Sequence, residues 1–343
     1  MNDRFTLDNS LHEILVQAGK EICLFFPDSL FQMIPEEYRN IPLRDWAESY
    51  TMPWGLPFPL KELLNDSNMI DHASELWDWV PLWEEGELTL DSNDTHAVGL
   101  MIPKTDLTGV RPAVIICPGG GYETIAFNNE GMYTARRMET AGYRTFILNY
   151  RLSPNRYPIP QLDLALAIKH VRANAAKYQI DPDNLMILGY SAGGHLCAST
   201  AALRQEIEAK LMVELALRRP DLAEVYRDIS IRPNKVCLCY PVISFLSEDH
   251  EPSFQALSGG DETLRAYLSI ETQVDDTYPK TFVWHCEDDS LVPCSNAVRM
   301  AKALEEKHVP HLLKLYPQGE HGCHLGTGTS AEGWPETMLE FMK

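Results

Sequence analysis

The rhythm of hydrophobic positions changes near residue 86. Beyond it, short apolar runs alternate with segments of helical spacing. Glu87–Leu90 and His96–Pro103 read as a strand pair. Ala113–Cys117, Arg144–Asn149, Leu185–Leu188, Val236–Tyr240, Thr281–His285 and Leu312–Tyr316 read as further strands. Between them, Gly131–Thr140, Pro160–Tyr178, Ala192–Leu203, Ser295–Lys307 and Ala331–Met342 read as helices. In Pro160–Tyr178, Leu162, Leu166, Ile168 and Val171 fall on or near one face. This alternation predicts an α/β domain over residues 86–343, with a mostly parallel central sheet and helices on both sides.

Two stretches break the rhythm. Gln205–Arg232 is charged and helical, and Ser247–Tyr278 is mixed and acidic. Both follow element ends where an α/β sheet carries functional loops. Residues 205–232 and 247–278 are therefore candidate lid elements, with surface decoration as the plainer alternative.

Residues 1–85 differ from the rest. They hold Trp46, Trp54, Trp77, Trp79 and Trp83, and proline is frequent between Pro27 and Pro81. Leu11–Gly19 and Leu60–Met69 read as short helices. A disordered tail is poorer in aromatics, so an ordered extension packed on the larger body is expected.

The 343 residues carry a net charge of −20. Residues 1–110 hold 20 acidic side chains against 6 basic ones. Such a surface repels phosphate backbones, which argues against a nucleic-acid partner and suits a neutral substrate. The chain begins without a basic, then apolar, leader. The long uncharged run Leu185–Leu203 has Gly189, Ser191, Gly193, Gly194 and His195 in its middle, so strand, turn and helix fit it better than a membrane span. The eight cysteines form no CxxC pair. Cys117, Cys237 and Cys239 sit in apolar strands, as free thiols do, and a reducing cytoplasm is expected.

The chemistry gathers at Leu185–His195. Here Gly189-Tyr-Ser191-Ala-Gly193 follows an apolar strand and opens a helix. In that context G-x-S-x-G places a serine on a strained turn at a helix N-terminus, where developing negative charge is favoured. Ser191 is thus the candidate nucleophile. Pro118-Gly119-Gly120-Gly121-Tyr122 follows an earlier strand, and its glycines let backbone amides approach an oxyanion. Candidate oxyanion donors are Ala192 with Gly120 or Gly121. The competing phosphate-loop reading lacks G-K-[ST] and G-x-G-x-x-G.

In this order of elements the acid and then the base follow the serine. The strand Thr281–His285 runs into Cys286-Glu287-Asp288-Asp289-Ser290-Leu291-Val292-Pro293. Asp289 is the preferred acid, with Asp288 and Glu287 as alternatives. After the last strand, Gly319-Glu320-His321-Gly322-Cys323-His324 offers His321 as the base and His324 as the alternative. His195 and His285 are expected to pack. Tyr122 and Tyr190, beside the two glycine motifs, are candidate substrate contacts. There is no H-E-x-x-H and no ligand-like Cys/His spacing, so no metal or cofactor is expected.

Residues from about 86 to the end resemble the α/β-hydrolase esterase/lipase superfamily, in the bacterial branch around BD-FAE-type feruloyl esterases and acetyl-xylan-esterase-related enzymes. The resemblance rests on Pro118-Gly-Gly-Gly-Tyr122, Asn149-Tyr-Arg-Leu152, Pro160-Gln-Leu-Asp163, Gly189-Tyr-Ser-Ala-Gly-Gly-His195, Asp289-Ser-Leu-Val-Pro293 and Gly319-Glu-His-Gly322. It implies a cofactor-free carboxylic-ester hydrolase with the triad Ser191, Asp289 and His321, acting on short acyl groups, acetyl first, of xylan-type sugars. Asp163 matches a family aspartate read as structural. Two features depart from the pattern: Pro118 stands where many relatives carry His, and the Trp-rich extension lies outside the shared core. That extension is expected to wall the acyl or sugar pocket or to build a homo-oligomer interface. Two other readings share the fold: an arylformamidase-like or generic small-ester hydrolase, and a binding module without catalysis.

Overall fold

Alternation between short apolar strands and amphipathic helices produces a single eight-stranded sheet in the computed structural model. The structure describes residues 4–18, 34–46, 64, 76–83, 98–105, 108–247 and 250–343. Its strands are β1 (Trp77–Pro81), β2 (Gly99–Pro103), β3 (Arg111–Cys117), β4 (Arg144–Asn149), β5 (Ile180–Tyr190), β6 (Lys235–Cys239), β7 (Lys280–Cys286) and β8 (His311–Tyr316). They lie in the order β1-β2-β4-β3-β5-β6-β7-β8. The β1–β2 and β2–β4 pairs are antiparallel, and all others are parallel. The apolar runs Ala113–Cys117, Val236–Cys239 and Thr281–Cys286 are buried throughout, as parallel strands covered on both faces must be.

The sheet corrects the expected boundary. β1 lies inside the segment assigned to the extension, so the sheet begins at Trp77. The partner of Gly99–Pro103 is Trp77–Pro81, with Trp79 opposite Met101. Gly99 makes the pairing feasible, since a Cβ there would lie 2.6 Å from the Trp79 ring. Glu87–Leu90 and nearly all of Leu60–Met69 fall outside the described residues.

The extension is tied to the core through Trp83, whose indole N–H donates to Asp163 at 2.9 Å. Asp163 also accepts from the Arg151 amide at 2.9 Å and from its guanidinium at 2.6 Å, with both side chains buried. One carboxylate thus joins the chain leaving β4, the helix Ile159–Ala173 and the extension.

The two candidate lids behave differently. Residues 205–232 form the helices Arg204–Arg218 and Pro220–Tyr226. Buried Lys169 ties them to the helix Ile159–Ala173 through Glu208 at 2.6 Å and the Tyr226 carbonyl at 3.0 Å. They start beyond the C-terminal end of the helix Ser191–Ala202, about 18 Å from its first residue. The Lys169 contacts pack the stretch against the helix Ile159–Ala173. Residues 250–278 instead reach the glycine loop, where His250 and Ser253 stand about 4 Å from the place of a Gly121 Cβ.

Among the described residues no helix is long and apolar enough to cross a membrane. The uncharged run at 185–203 is the end of β5 and the helix Ser191–Ala202.

Candidate active site

Ser191 sits at the junction of β5 and the helix Ser191–Ala202. Its φ is +50°, in the left-handed region that ordinary side chains avoid. The turn closes because two glycines leave room: a Cβ on Gly189 would lie 2.1 Å from the Gly193 carbonyl oxygen, and one on Gly193 would lie 2.1 Å from that of Cys117. The strain places the hydroxyl at the C-terminal edge of the sheet, with the helix N-terminus behind it.

His321 reaches Ser191 from the loop after β8. Its Nδ1 lies 2.7 Å from Asp289 Oδ2. An ionised carboxylate only accepts, so Nδ1 carries the proton and Nε2 is free to accept. The Ser191 hydroxyl donates to that Nε2 at 2.9 Å. Both the serine and the aspartate are 7% exposed. The Tyr240 ring packs edge-on against the imidazole at 4.9 Å.

Asp289 accepts from four groups. Oδ1 takes the amides of Leu291 at 3.0 Å and Val292 at 2.8 Å. Oδ2 takes His321 and, at 2.9 Å, His285 Nε2. Burial by itself would raise this carboxyl, but the His285 and His321 hydrogen bonds outweigh it and hold it well below the usual carboxylate range. Asp288, the alternative acid, faces elsewhere. It accepts from the amides of Gly319 at 3.0 Å and Glu320 at 2.9 Å, and so anchors the loop that carries His321. Glu287 is exposed. The partner of the Ser191 hydroxyl is His321 and not His324, whose carbonyl accepts the Trp334 indole N–H at 2.9 Å. Burial, then the nearby charge of His321, lowers the pKa of His324 to about 4.

The glycine loop lies against the nucleophile: a Cβ on Gly119 would come within 2.8 Å of the Ser191 Cβ. The Gly119 amide is already bound to Glu130 Oε2 at 2.5 Å, which leaves Gly120 and Gly121 as the loop's candidate donors. Gly120 has φ +130° and Gly121 +67°. The Tyr150 hydroxyl on the Pro118 carbonyl, at 2.7 Å, fixes the start of the loop. Ala192 stands in the first turn of its helix, where amides lack intrahelical acceptors.

Tyr122 and Tyr190 are corrected as substrate contacts. Both rings are fully buried. Tyr122 OH donates to His195 Nδ1 at 2.8 Å, and Tyr190 OH bonds Thr134 at 2.7 Å. Both hydroxyls thus find their partners inside the core. An exposed ring does lie nearby. A groove of about 540 Å³ beside the base loop is lined by Tyr133, Arg136 and Thr140 on one side and Cys323, His324 and Leu325 on the other. Tyr133 is 38% exposed.

Two residues escaped the sequence reading. His285 was expected only to pack, yet it bonds the acid. Glu130 lies fully buried in the π-helical turn Phe127–Met132, where it joins the Gly119 amide to the Tyr240 hydroxyl at 2.8 Å. Burial raises its carboxyl, against the pull of those two donors. A π-helical turn is a common feature of functional sites, but its sequence carries no recognisable signal. Among the described residues, His285, Asp289 and His321 are the grouping tight enough for a metal ion, with donor atoms within 4.8 Å of one another. Here each imidazole already directs an N–H to the carboxylate.

The sequence model of the BD-FAE family matches residues 99–304. The chain belongs to the BD-FAE family. This α/β-hydrolase of the BD-FAE type is also 32% identical to a solved acetyl ester-xyloside bifunctional hydrolase from Caldicellulosiruptor lactoaceticus. That likeness has a TM-score of 0.67 and covers 77% of this chain and 94% of that one. Endo-1,4-beta-xylanase B of Butyrivibrio fibrisolvens is 33% identical over 74% of this chain and 39% of its own length. An acetylxylan esterase of Xylanibacter ruminicola is 26% identical over 63% of this chain and 42% of its own. The chain thus spans about two fifths of these two curated relatives. The family match starts at β2 and ends within the helix Ser295–Glu306, so it includes Ser191 and Asp289 but stops before His321.

Proposed function

We propose that the protein is a serine carboxylesterase that removes short acyl groups, acetyl first, from xylan-type sugars or oligosaccharides. The observation that carries the reading is the hydrogen-bonded relay Asp289–His321–Ser191, at 2.7 and 2.9 Å. His321 takes the Ser191 proton as the serine oxygen attacks the ester carbonyl. Asp289 keeps the imidazole in the tautomer that can accept and steadies the imidazolium that forms. The amides of Ala192 and of Gly120 or Gly121 bind the oxyanion, and losing one such donor typically costs about 10²–10³ in kcat. His321 then protonates the leaving alcohol, and water, activated by the same base, releases the acid from the acyl-enzyme.

The sugar assignment is supported by the similarity to an acetyl ester-xyloside bifunctional hydrolase, a xylanase and an acetylxylan esterase. The net charge of −20 suits a neutral ligand, and the exposed Tyr133 ring at the groove suits stacking on a sugar. The reading includes a reducing cytoplasm, consistent with the free state of every cysteine among the described residues. There the substrates would be imported oligosaccharides.

The test is mass spectrometry of acetylated xylo-oligosaccharides incubated with wild type and with Ser191→Ala. Stepwise loss of acetyl groups in the wild type alone is expected. Turnover by Ser191→Ala would overturn the mechanism. Cleavage of aryl acetates without any sugar deacetylation would overturn the substrate class.

A further inference from the structure

Two thiols flank the acid and base loops. Cys286 is the last residue of β7, three positions before Asp289. Cys323 lies two positions after His321 and is partly exposed. Their sulfurs are 3.8 Å apart, across a sequence separation of 37 residues. Gly319 permits the approach: a Cβ there would sit 2.5 Å from the Cys286 sulfur and 3.3 Å from that of Cys323. A side chain at 319 would wedge into the pair.

We propose that Cys286 and Cys323 form a modification site, a dithiol that peroxide converts to a disulfide beside the catalytic base. The consequence for turnover rests on the esterase reading; the bond itself does not. One sulfur attacks a peroxide oxygen, the O–O bond breaks, and a sulfenic acid and water form. The second sulfur attacks that sulfenic sulfur, the S–S bond forms, and the hydroxyl leaves as a second water. Two thiols are oxidised and one peroxide is reduced to two waters. A small-molecule dithiol returns the two electrons and restores both thiols.

Electrostatics help the first step. The hydrogen bond between the two sulfurs lowers the Cys286 thiol against burial and the nearby Asp288, Asp289 and Glu320 carboxylates, and pushes that of Cys323 up. The pair therefore sets a lowered thiol beside one that is partly open to solvent.

Cys237 and Cys239 serve as a contrast at the same 3.8 Å. They lie two apart on one strand and are fully buried. Strand geometry fixes their Cα atoms about 6.6 Å apart, near the limit a disulfide spans. Cys286 and Cys323 stand instead at a strand end and on a separate loop, 37 residues apart in the chain.

Closure must bring the sulfurs from 3.8 Å to about 2.05 Å. The displacement falls on the loop that holds His321 against both Asp289 and Ser191. A misplacement of about 1 Å in such a relay can cost about 10²-fold in rate.

The experiment treats the reduced full-length chain with hydrogen peroxide, blocks remaining thiols by alkylation, and maps peptides by mass spectrometry. Turnover of an aryl acetate is followed before oxidation, after it, and after dithiothreitol. A linked peptide holding Cys286 and Cys323 is expected, with at least about a tenfold loss of turnover that dithiothreitol reverses. Cys323→Ser and Cys286→Ala should each keep their own untreated rate under the same exposure. Recovery of both cysteines unlinked overturns the site. Linkage with unchanged turnover, or equal loss in the two variants, overturns its hold on the base. A chain inactive before oxidation would fail the esterase reading alone, while the linked peptide would still decide the disulfide.

Discussion

His285 donates to the same oxygen of Asp289 that receives His321. The distances are 2.9 Å and 2.7 Å. The Nε2–H of His285 is shared with the Val292 carbonyl at 2.8 Å, so one ring nitrogen ties the acid to the loop that follows it. It is fully buried and has no surface for a substrate. It acts through Asp289 as a positioning residue.

His285→Ala removes that donor and leaves a void behind the carboxylate. Asp289 can then rotate away from His321. The expected outcome is a kcat lower by about 10–100-fold with KM nearly unchanged, as for an interaction that serves the transition state alone. Steady-state kinetics on an aryl acetate decide it. An unchanged kcat would remove His285 from the support of the acid.

The difference between Ser191 and His285 shows what the sequence could reveal. Ser191, Asp289 and His321 each sit in a short motif whose order along the chain matches the order of elements. Glu130 and His285 have no such motif. Glu130 gains its meaning from Tyr240, 110 residues away, and local patterning carries no trace of a contact so distant. β1 was hidden for another reason. Its Trp-Asp-Trp-Val-Pro run alternates as a strand should, yet it lies within a stretch rich in tryptophan and proline. Tyr122 and Tyr190 misled because proximity in sequence to a catalytic motif does not say which way a side chain turns. Tyr122, with φ +64°, sends its ring into the core.

Gly119→Ala tests the approach of the glycine loop to the nucleophile. The added methyl would stand 2.8 Å from the Ser191 Cβ, 2.9 Å from Glu130 Oε2 and 2.9 Å from the Tyr190 carbonyl oxygen. Two of these three neighbours are held by the elbow and cannot yield without moving Ser191. A loss of kcat of about 10²-fold or more is expected, on the scale of a lost oxyanion donor. Circular dichroism should show an intact fold. A folded variant with wild-type turnover would separate the loop's position from catalysis.

Glu130→Gln probes the buried carboxylate under that loop. The carboxylate accepts from both the Gly119 amide and the Tyr240 hydroxyl. A glutamine has one acceptor oxygen, so its NH2 group would face one of these donors. An unsatisfied buried group of this kind costs about 1–3 kcal/mol. Denaturant unfolding should show that loss, and kcat should fall with it as the loop and Tyr240, which packs on His321, lose their common anchor. Tyr240→Phe removes only one donor and should cost less in both measurements.

His195 gives the protein a pH dependence that is separable from catalysis. Its Nε2–H donates to the Leu268 carbonyl at 2.8 Å, and its Nδ1 accepts from Tyr122 OH at 2.8 Å. The neutral ring satisfies both contacts without placing a charge in the core. Burial lowers its pKa to about 4, against a smaller opposing effect of the Leu268 hydrogen bond. The unfolded ring titrates near ~6.5. Between those values the unfolded chain holds a proton that the native one lacks, so stability falls as pH drops from about 6.5 to about 4. The slope at this one site is about 1.4 kcal/mol per pH unit. His195→Gln removes the titrating group. Urea unfolding of both proteins at neutral pH and near pH 4.5 should show the wild-type advantage shrinking by about 2–3 kcal/mol at the lower pH. His170 and His324, both also lowered to about 4 mainly by burial, titrate alike in the two proteins and cancel in the difference. Parallel pH dependence in the two proteins would mean that the folded state accepts the proton at His195.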